Sequence, residues 1–248
     1  MTLFAPDVLN IAWEHPRRPH NSKNGARFVR AEDGLDYVAK SATDAEPLAP
    51  QAEYVAHWLA LRCALPAAMG QWLRWPHTGK LAFGYRFETG VKQYTMMPPE
   101  ESEQAMAQAM PGLWRLCVLD VFVGNPDRHI DNLLLRRSEL DGRWTFIAID
   151  WGKALWNSGF PMAPVEHVAM AGNTAATVAF LRTIWRPDSR MTLDVVARLQ
   201  ALRAESMSAH LEEQMPAQAR CQQTAELARW WSTQGRMDRL RRTLEVLS

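Results

Sequence analysis

The 248-residue sequence has no large excess of charge of either sign and only three cysteines, which excludes several classes of protein. Its formal net charge is +1, whereas a general nucleic-acid-binding protein usually carries a marked basic excess. Cys63, Cys117 and Cys221 lie far apart and form neither a CxxC motif nor a Cys/His cluster. A disulfide framework or a zinc site is therefore not expected, and neither is direct nucleic-acid binding.

A secretory signal and long hydrophobic runs are missing as well. The first ten residues, MTLFAPDVLN, lack a basic start followed by an apolar stretch. The stretch HVAMAGNTAATVAFL is too short and too polar to match the ~18 apolar residues that a membrane-spanning helix needs. We therefore expect a cytoplasmic protein with no membrane partner, folded around one large core or two smaller lobes.

Short alternating segments separated by turn residues fill the first third of the chain. VLNIAW is predicted to be a strand, and ARFVRAE and LDYVAKS flank the pair Asp33-Gly34, which is a hairpin signal. The segment EPLAPQAEYVAHWLALRCALP is predicted to form a helix that Pro66 ends. Two further strands, QWLRW and KLAFGYRF, are predicted around Gly79.

Helical periodicity dominates the rest of the chain. After Met97, two prolines and an acidic cluster predict a linker and the start of a helix, which is expected to be interrupted or kinked at Pro111-Gly112. Three further helical segments follow towards the end of the chain. The predicted fold is therefore α+β, with a β-rich lobe over residues 1–97 and a larger helical lobe over residues 98–248.

The most informative segment reads GNPDRHIDNLLLRRSELDGRWTFIAIDWGKA and begins at Gly124. Asp127 and Asn132 precede an apolar run, a turn follows, and a second apolar run ends at Asp150. A hairpin with this pattern would bring Asp127, Asn132 and Asp150 to one end. Alternatively, these residues only cap turns, as Asp and Asn often do.

Three oxygen-bearing side chains at one point suit phosphoryl transfer. Asn132 and Asp150 are predicted to bind Mg²⁺, which prefers oxygen ligands and shares its coordination with phosphate oxygens. Asp127 is predicted to orient the attacking hydroxyl and take its proton. His129 is expected to brace this loop by hydrogen bonding, or alternatively to transfer a proton.

This segment resembles the protein-kinase-like superfamily, in which Asp-x-x-x-x-Asn precedes a strand that ends in Asp-aromatic-Gly. Phosphatidylinositol kinases carry a similar DRHxxN and IDFG, and HipA-like kinases carry the Asn-x-Asp-x-His-x-x-Asn that spans Asn125 to Asn132 here. Chain length and the short helical second lobe favour the HipA-like kinases. Two features depart from the common pattern, because Trp151 replaces Phe and no GxGxxG is present.

The resemblance implies a bilobal kinase-like fold whose first lobe binds ATP. Lys40, at the end of the strand LDYVAKS, would then hold the α- and β-phosphates, and Glu53 on the following helix would orient it through an ion pair. The alternative is that both residues are ordinary surface residues. By position alone, the backbone around Phe87 would meet the adenine.

A loop between the first two strands would cover the phosphates. Ser22, Lys23 and Gly25 are its candidate nucleotide-binding residues, although the surrounding basic segment His15–Arg30 is also consistent with a solvated loop. The resemblance further implies autophosphorylation of Ser22, with loss of activity. Alternatively, Ser22 is only a turn residue.

Three functions remain open from the sequence. The leading one is a serine/threonine kinase that uses ATP and Mg²⁺ on an unidentified protein substrate; the resemblance adds a toxin role with an antitoxin-like partner. The second is a small-molecule or lipid kinase with the same core. The third is a pseudokinase that binds nucleotide or a partner, against which the joint presence of Lys40, Asp127, Asn132 and Asp150 argues.

Overall fold

The computed structural model describes residues 8–16, 25–156, 159–160, 162–185 and 187–248, without the side chain of Asp131. The strands are β1 (Leu9–Glu14), β2 (Arg27–Ala31), β3 (Asp36–Ser41), β4 (Gly70–Arg74), β5 (Leu81–Arg86), β6 (Val91–Gln93), β7 (Leu133–Arg137) and β8 (Trp144–Ala148). The helices are α1 (Ala49–Arg62), α2 (Pro99–Val123), α3 (Val165–Met170), α4 (Gly172–Ile184), α5 (Ser189–Ala201), α6 (Ala204–Ala209), α7 (Gln222–Trp231) and α8 (Gln234–Leu247), with a π-helix over His210–Gln214. The mixed α+β content, with strands early and helices late, agrees with the sequence prediction.

The first five strands form a closed barrel in the order β1-β2-β3-β5-β4, completed by parallel pairing of β1 with β4. The hairpin predicted at Asp33-Gly34 is confirmed, because β2 and β3 pair antiparallel on either side of it. Gly34 adopts a φ of 79°, a left-handed conformation that glycine reaches without steric cost. The barrel thereby places the end of β3, where Lys40 lies, beside β5.

Helix α1 packs against this barrel with almost its entire length buried. It ends at Arg62, earlier than the predicted stop at Pro66, and Ala64 then takes a left-handed φ of 53°. Most of its buried residues are apolar, but Glu53 is fully buried among them. A buried carboxylate requires partners of opposite charge or hydrogen-bond donors, which indicates a specific role for Glu53.

Helix α2 runs from Pro99 to Val123 with Pro111 inside it, so of the two outcomes predicted at Pro111-Gly112 the interruption is wrong, whereas the kink stays a prediction. Gly112 instead allows β8 to approach closely, because a Cβ there would lie 2.3 Å from Cε1 of Phe146. The helix is long and apolar enough, by length and composition, to cross a membrane, which the sequence analysis did not anticipate. Its apolar window is 72% buried inside the molecule, as in the core helix of a globular domain.

The second sheet is β6-β7-β8, and its first strand precedes the lobe boundary predicted after residue 97. Strand β6 and helices α3 and α4 were not predicted from the sequence. The segment TLDVVARLQALRAESMSAHLEEQ, predicted to be one helical stretch, is divided into α5, α6 and the π-helix. The helices pack around α2, which contacts β8, α4, α5 and α8.

Candidate active site

The hairpin of β7 and β8 brings the predicted residues together. Its last paired residues are Leu133 and Ala148, so Asn132 and Asp150 emerge at the same end of the two strands. The side-chain amide of Asn132 donates a hydrogen bond of 3.0 Å to the carbonyl oxygen of Asp127. The predicted convergence of the loop with the strand end is therefore present.

A buried ion pair that sequence reasoning missed lies beneath this loop. Arg128 donates to Asp120 of α2 through Nε (2.7 Å) and Nη2 (3.0 Å), and both side chains are fully buried. Asn125 Nδ2 (2.8 Å) and the indole Nε1 of Trp151 (3.0 Å) also donate to Asp120. Arg128 further donates to the carbonyl of Ile149, so this one guanidinium connects the loop to the end of β8.

The carboxylate of Asp127 contacts three side chains. Lys153 Nζ donates to Oδ2 at 2.7 Å and Asn173 Nδ2 donates to Oδ1 at 2.5 Å. His129 Nε2 lies 2.9 Å from Oδ1 and 2.6 Å from Asn173 Nδ2. Burial raises the pKa of Asp127, but the hydrogen bonds from Lys153 and Asn173 outweigh it and bring the pKa below its ordinary value. The side chain is therefore an ionised carboxylate at neutral pH.

The N-terminus of α4 supports the loop that carries Asp127. The backbone N–H groups of Asn173 and Thr174 donate to the carbonyl of Pro126, at 3.0 and 3.1 Å. Gly172, with a φ of 80°, permits this approach, because a Cβ there would lie 2.9 Å from that oxygen. Asn173 was missed because α4 was missed, although a Gly-Asn pair before helical periodicity is a recognisable start signal.

The ion pair predicted in the first lobe is present. Lys40 Nζ lies 2.7 Å from Glu53 Oε1, and it also donates to Asp150 Oδ1. Burial lowers the pKa of Lys40, but the carboxylates of Asp150 and Glu53 outweigh it and raise that pKa. The alternative of two surface residues is excluded, since the side chains of Lys40 and Glu53 are 11% and 0% exposed.

Both oxygens of Glu53 have partners. Its Oε2 accepts hydrogen bonds from the hydroxyl of Tyr85 (2.7 Å) and the backbone N–H of Trp151 (2.8 Å). Tyr85 was not predicted, because a tyrosine in an alternating strand carries no signal of its partner. Through Glu53, helix α1 is tied to β3, to β5 and to the segment after β8.

Asp150 adopts a φ of 71°, a strained conformation for a residue other than glycine, and such conformations concentrate at functional sites. Burial raises its pKa, but Lys40 outweighs that effect and lowers it. Two residues later, Gly152 packs closely against this ion pair, since a Cβ there would lie 3.3 Å from Glu53 Oε1. Asp150, Trp151 and Gly152 thus all lie against the ion pair of Lys40 and Glu53.

Other predicted nucleotide-binding residues are less well placed. Ser22 and Lys23 lie outside the described residues, whereas Gly25 has a φ of 69° just before β2. The backbone N–H of Phe87 donates to the carbonyl of Asp36 at 2.7 Å, so it is engaged within the barrel. Adenine contact by the backbone near Phe87 remains a prediction, for which the carbonyl of this residue is still available; the residue is 47% exposed.

Asn132 and Asp150 also suit the predicted Mg²⁺ site. The Asn132 amide nitrogen is committed to Asp127, which leaves its oxygen for another partner, and the side chain of Asp150 is 31% exposed. The described residues contain no cluster of three or more His, Cys, Asp or Glu that would form an all-protein metal site. An ion held here would therefore complete its coordination with water and phosphate oxygens, as Mg²⁺ ordinarily does.

No family model and no curated protein matches this sequence. Among solved structures, the Helicobacter pylori proinflammatory kinase CtkA superposes with a TM-score of 0.61 at 13% identity, covering 97% of each chain. The chain has a kinase-like fold. A second match, to the Shewanella oneidensis MR-1 HipA, HipB and operator DNA complex, has a TM-score of 0.52 at 9% identity, covering 93% of this chain and 66% of the matched one. The resemblance to HipA-like kinases is confirmed at the level of the fold.

In this kinase-like fold, the position of α1 decides whether Glu53 reaches Lys40. His210, from the π-helix, is stacked between two α1 side chains, with ring centroids 4.4 Å from Tyr54 and 4.3 Å from Trp58. Burial lowers the pKa of His210 to about 3, so the imidazole is neutral at ordinary pH. The helical segment after α6 thereby anchors the helix that carries Glu53.

This histidine predicts a loss of stability in acid. The folded-state pKa of His210 lies below the unfolded value of about 6.5, so the unfolded chain binds the extra proton as pH falls between them. From neutral pH to about pH 4.5, the free energy of unfolding should fall by roughly 2 to 3 kcal/mol more in the wild type than in His210→Phe. Urea unfolding at both pH values measures this difference.

Other groups around His210 also shift its pKa. Gln214 raises its pKa, while Arg62 and His57 lower it. Burial also lowers the pKa of His57, to about 4, so both proteins should retain an acid-dependent loss from that residue. Equal losses in the wild type and His210→Phe would show that His210 does not titrate on unfolding.

Proposed function

We propose that this chain is an ATP- and Mg²⁺-dependent kinase that transfers the γ-phosphate to a Ser or Thr hydroxyl of a protein. The observation that carries the proposal is the contact of Lys40 with both Glu53 and Asp150. This contact connects β3, α1 and the segment after β8. Asn132, which precedes β7, donates a hydrogen bond to the carbonyl of Asp127.

Each side chain has a role that its geometry supports. Asp127, ionised and held by hydrogen bonds from Lys153 and Asn173, would orient the acceptor hydroxyl and take its proton as the oxygen attacks. Lys40, fixed by Glu53, would hold the α- and β-phosphates. A Mg²⁺ ion held by Asn132 and Asp150 would neutralise phosphate charge.

The second candidate is a small-molecule or lipid kinase, which would use the same residues and differ only in the acceptor. A pseudokinase is less favoured, because the residues for positioning, proton transfer and metal binding are present together. An antitoxin-like partner, a toxin role and a cytoplasmic location extend the proposal by analogy with HipA, whose solved complex contains HipB.

Incubation of the purified protein with [γ-³²P]ATP and Mg²⁺ tests the proposal. Label is expected on serine or threonine, either in the protein itself or in a protein of the source lysate. Label confined to a small-molecule or lipid fraction would favour the second candidate. Nucleotide binding without transfer to any fraction would indicate a pseudokinase.

The metal role of Asp150 has its own test. Asp150→Asn should weaken Mg²⁺-dependent ATP binding more than Asp127→Ala does, because it removes the charge of the proposed metal ligand. It also removes a carboxylate from Lys40. Calorimetric titration of both variants and the wild type, with and without Mg²⁺, measures the effect; equal affinities throughout would contradict the assignment.

A further inference from the structure

Lys153 contacts the predicted proton acceptor directly. Its ammonium group lies 2.7 Å from Asp127 Oδ2, while Oδ1 of the same carboxylate accepts a hydrogen bond from Asn173. Asp127 therefore keeps a side-chain donor when Lys153 leaves it, and Lys153 is available for a second role.

The position of Lys153 indicates that role. It follows Asp150 by three residues, and its side chain is 31% exposed. Burial lowers its pKa, but Asp127, followed by Glu46 and Asp150, raises it, so the side chain remains a cation. Arg128, the cation next to Asp127 in the sequence, is fully buried and committed to Asp120, so it is not available to a phosphate.

A cation in contact with the proposed proton acceptor, three residues after the proposed metal-binding carboxylate, is close enough to meet the phosphoryl group as it is transferred. Phosphoryl transfer places its charge on the equatorial oxygens of that group, and fixed cations stabilise it. In the absence of nucleotide, the closest anion for Lys153 is Asp127. With ATP bound, the γ-phosphate offers a more highly charged partner.

We propose that Lys153 is a catalytic residue that leaves Asp127 to bind the γ-phosphate of ATP during phosphoryl transfer. This rests on the proposed kinase function. The acceptor O–H bond breaks and its proton goes to Asp127. A bond forms between the acceptor oxygen and the γ-phosphorus, and the β–γ bridging P–O bond breaks with its electron pair retained by ADP.

Nucleotide affinity tests the contact without turnover. Lys153→Met should weaken binding of Mg²⁺ATP by about tenfold and leave binding of Mg²⁺ADP close to wild type, because only ATP carries the γ-phosphate. Lys153→Arg should restore most of the preference for ATP. The control is Lys92→Met, the same substitution at a lysine paired with Glu101 outside the cleft, which should leave both affinities unchanged.

The rate of transfer tests the catalytic role. In Lys153→Met, kcat should fall by about 10² to 10³.

The outcomes separate this inference from the kinase proposal. Phosphate transfer by both the wild type and Lys153→Met, with equal ATP-to-ADP affinity ratios and equal kcat values, would overturn the role of Lys153 and leave the kinase proposal intact. No transfer by the wild type or Lys92→Met would instead contradict the kinase proposal. The affinity ratio would then still decide whether Lys153 contacts the γ-phosphate.

Discussion

Replacing Asp127 with alanine is expected to lower the rate of phosphoryl transfer by about 10² to 10⁴ while leaving the fold intact. The residue lies in a loop, and its partners Lys153 and His129 have side chains that are 31% and 48% exposed. Removing the carboxylate therefore strands no fully buried charge. Single-turnover assays with saturating Mg²⁺ATP, together with thermal unfolding, measure both parts of the expectation.

Two further variants identify what the carboxylate contributes. Asp127→Asn keeps a similar shape but cannot accept the proton, so its rate should fall almost as far as that of the alanine variant. The control is Asp141→Ala, which removes an exposed aspartate from the turn of the same hairpin and should leave the rate unchanged. Wild-type turnover in Asp127→Ala would remove Asp127 from the mechanism.

Local patterns predicted the parts of the site that depend on neighbouring residues. The Asp33-Gly34 hairpin and the β7-β8 hairpin follow from alternation and turn residues, and they place Lys40 and Asp150 at strand ends. The pairing of Lys40 with Glu53 was also predictable, because α1, which carries Glu53, is the next element after β3. These elements form within short stretches of chain, where sequence pattern is most informative.

The parts that the sequence could not predict depend on distant segments. Asn173 reaches Asp127 across 46 residues, and Tyr85 reaches Glu53 across 32. No spacing rule connects such pairs, because tertiary packing alone brings them together. Asp120 was overlooked for another reason: it occurs within the apolar run LCVLDVFV, and its partner Arg128 lies beyond the end of the helix.

The departure of Trp151 from the common Phe has a structural explanation. Its indole Nε1 donates to Asp120 Oδ1, a hydrogen bond that phenylalanine cannot make. Its ring also lies against the guanidinium of Arg128, at 5.2 Å from the ring centroid. The tryptophan thus belongs to the buried network beneath the Asp127 loop.

Removing Asp120, the carboxylate of that buried network, should have the largest effect on the free energy of unfolding. Asp120→Ala leaves the guanidinium of Arg128 fully buried without its carboxylate, and it deprives Asn125 and Trp151 of an acceptor. Loss of one partner of a buried ion pair typically costs about 3 to 5 kcal/mol. Chemical denaturation should therefore show a decrease of that size in the free energy of unfolding.

The double variant Asp120→Leu/Arg128→Met separates the cost of an unpaired charge from the value of the pair. It removes both charges and should be less destabilised than Asp120→Ala, because no buried ion is left alone. The matched control is Asp194→Ala, which breaks a partly exposed pair with Arg115 and Arg198 and should cost at most about 1 kcal/mol. If Asp120→Ala costs no more than Asp194→Ala, the buried pair does not hold the loop in place.

Even where the double variant folds well, it should transfer phosphate more slowly than the wild type, because Arg128 no longer connects the Asp127 loop to Ile149 at the end of β8.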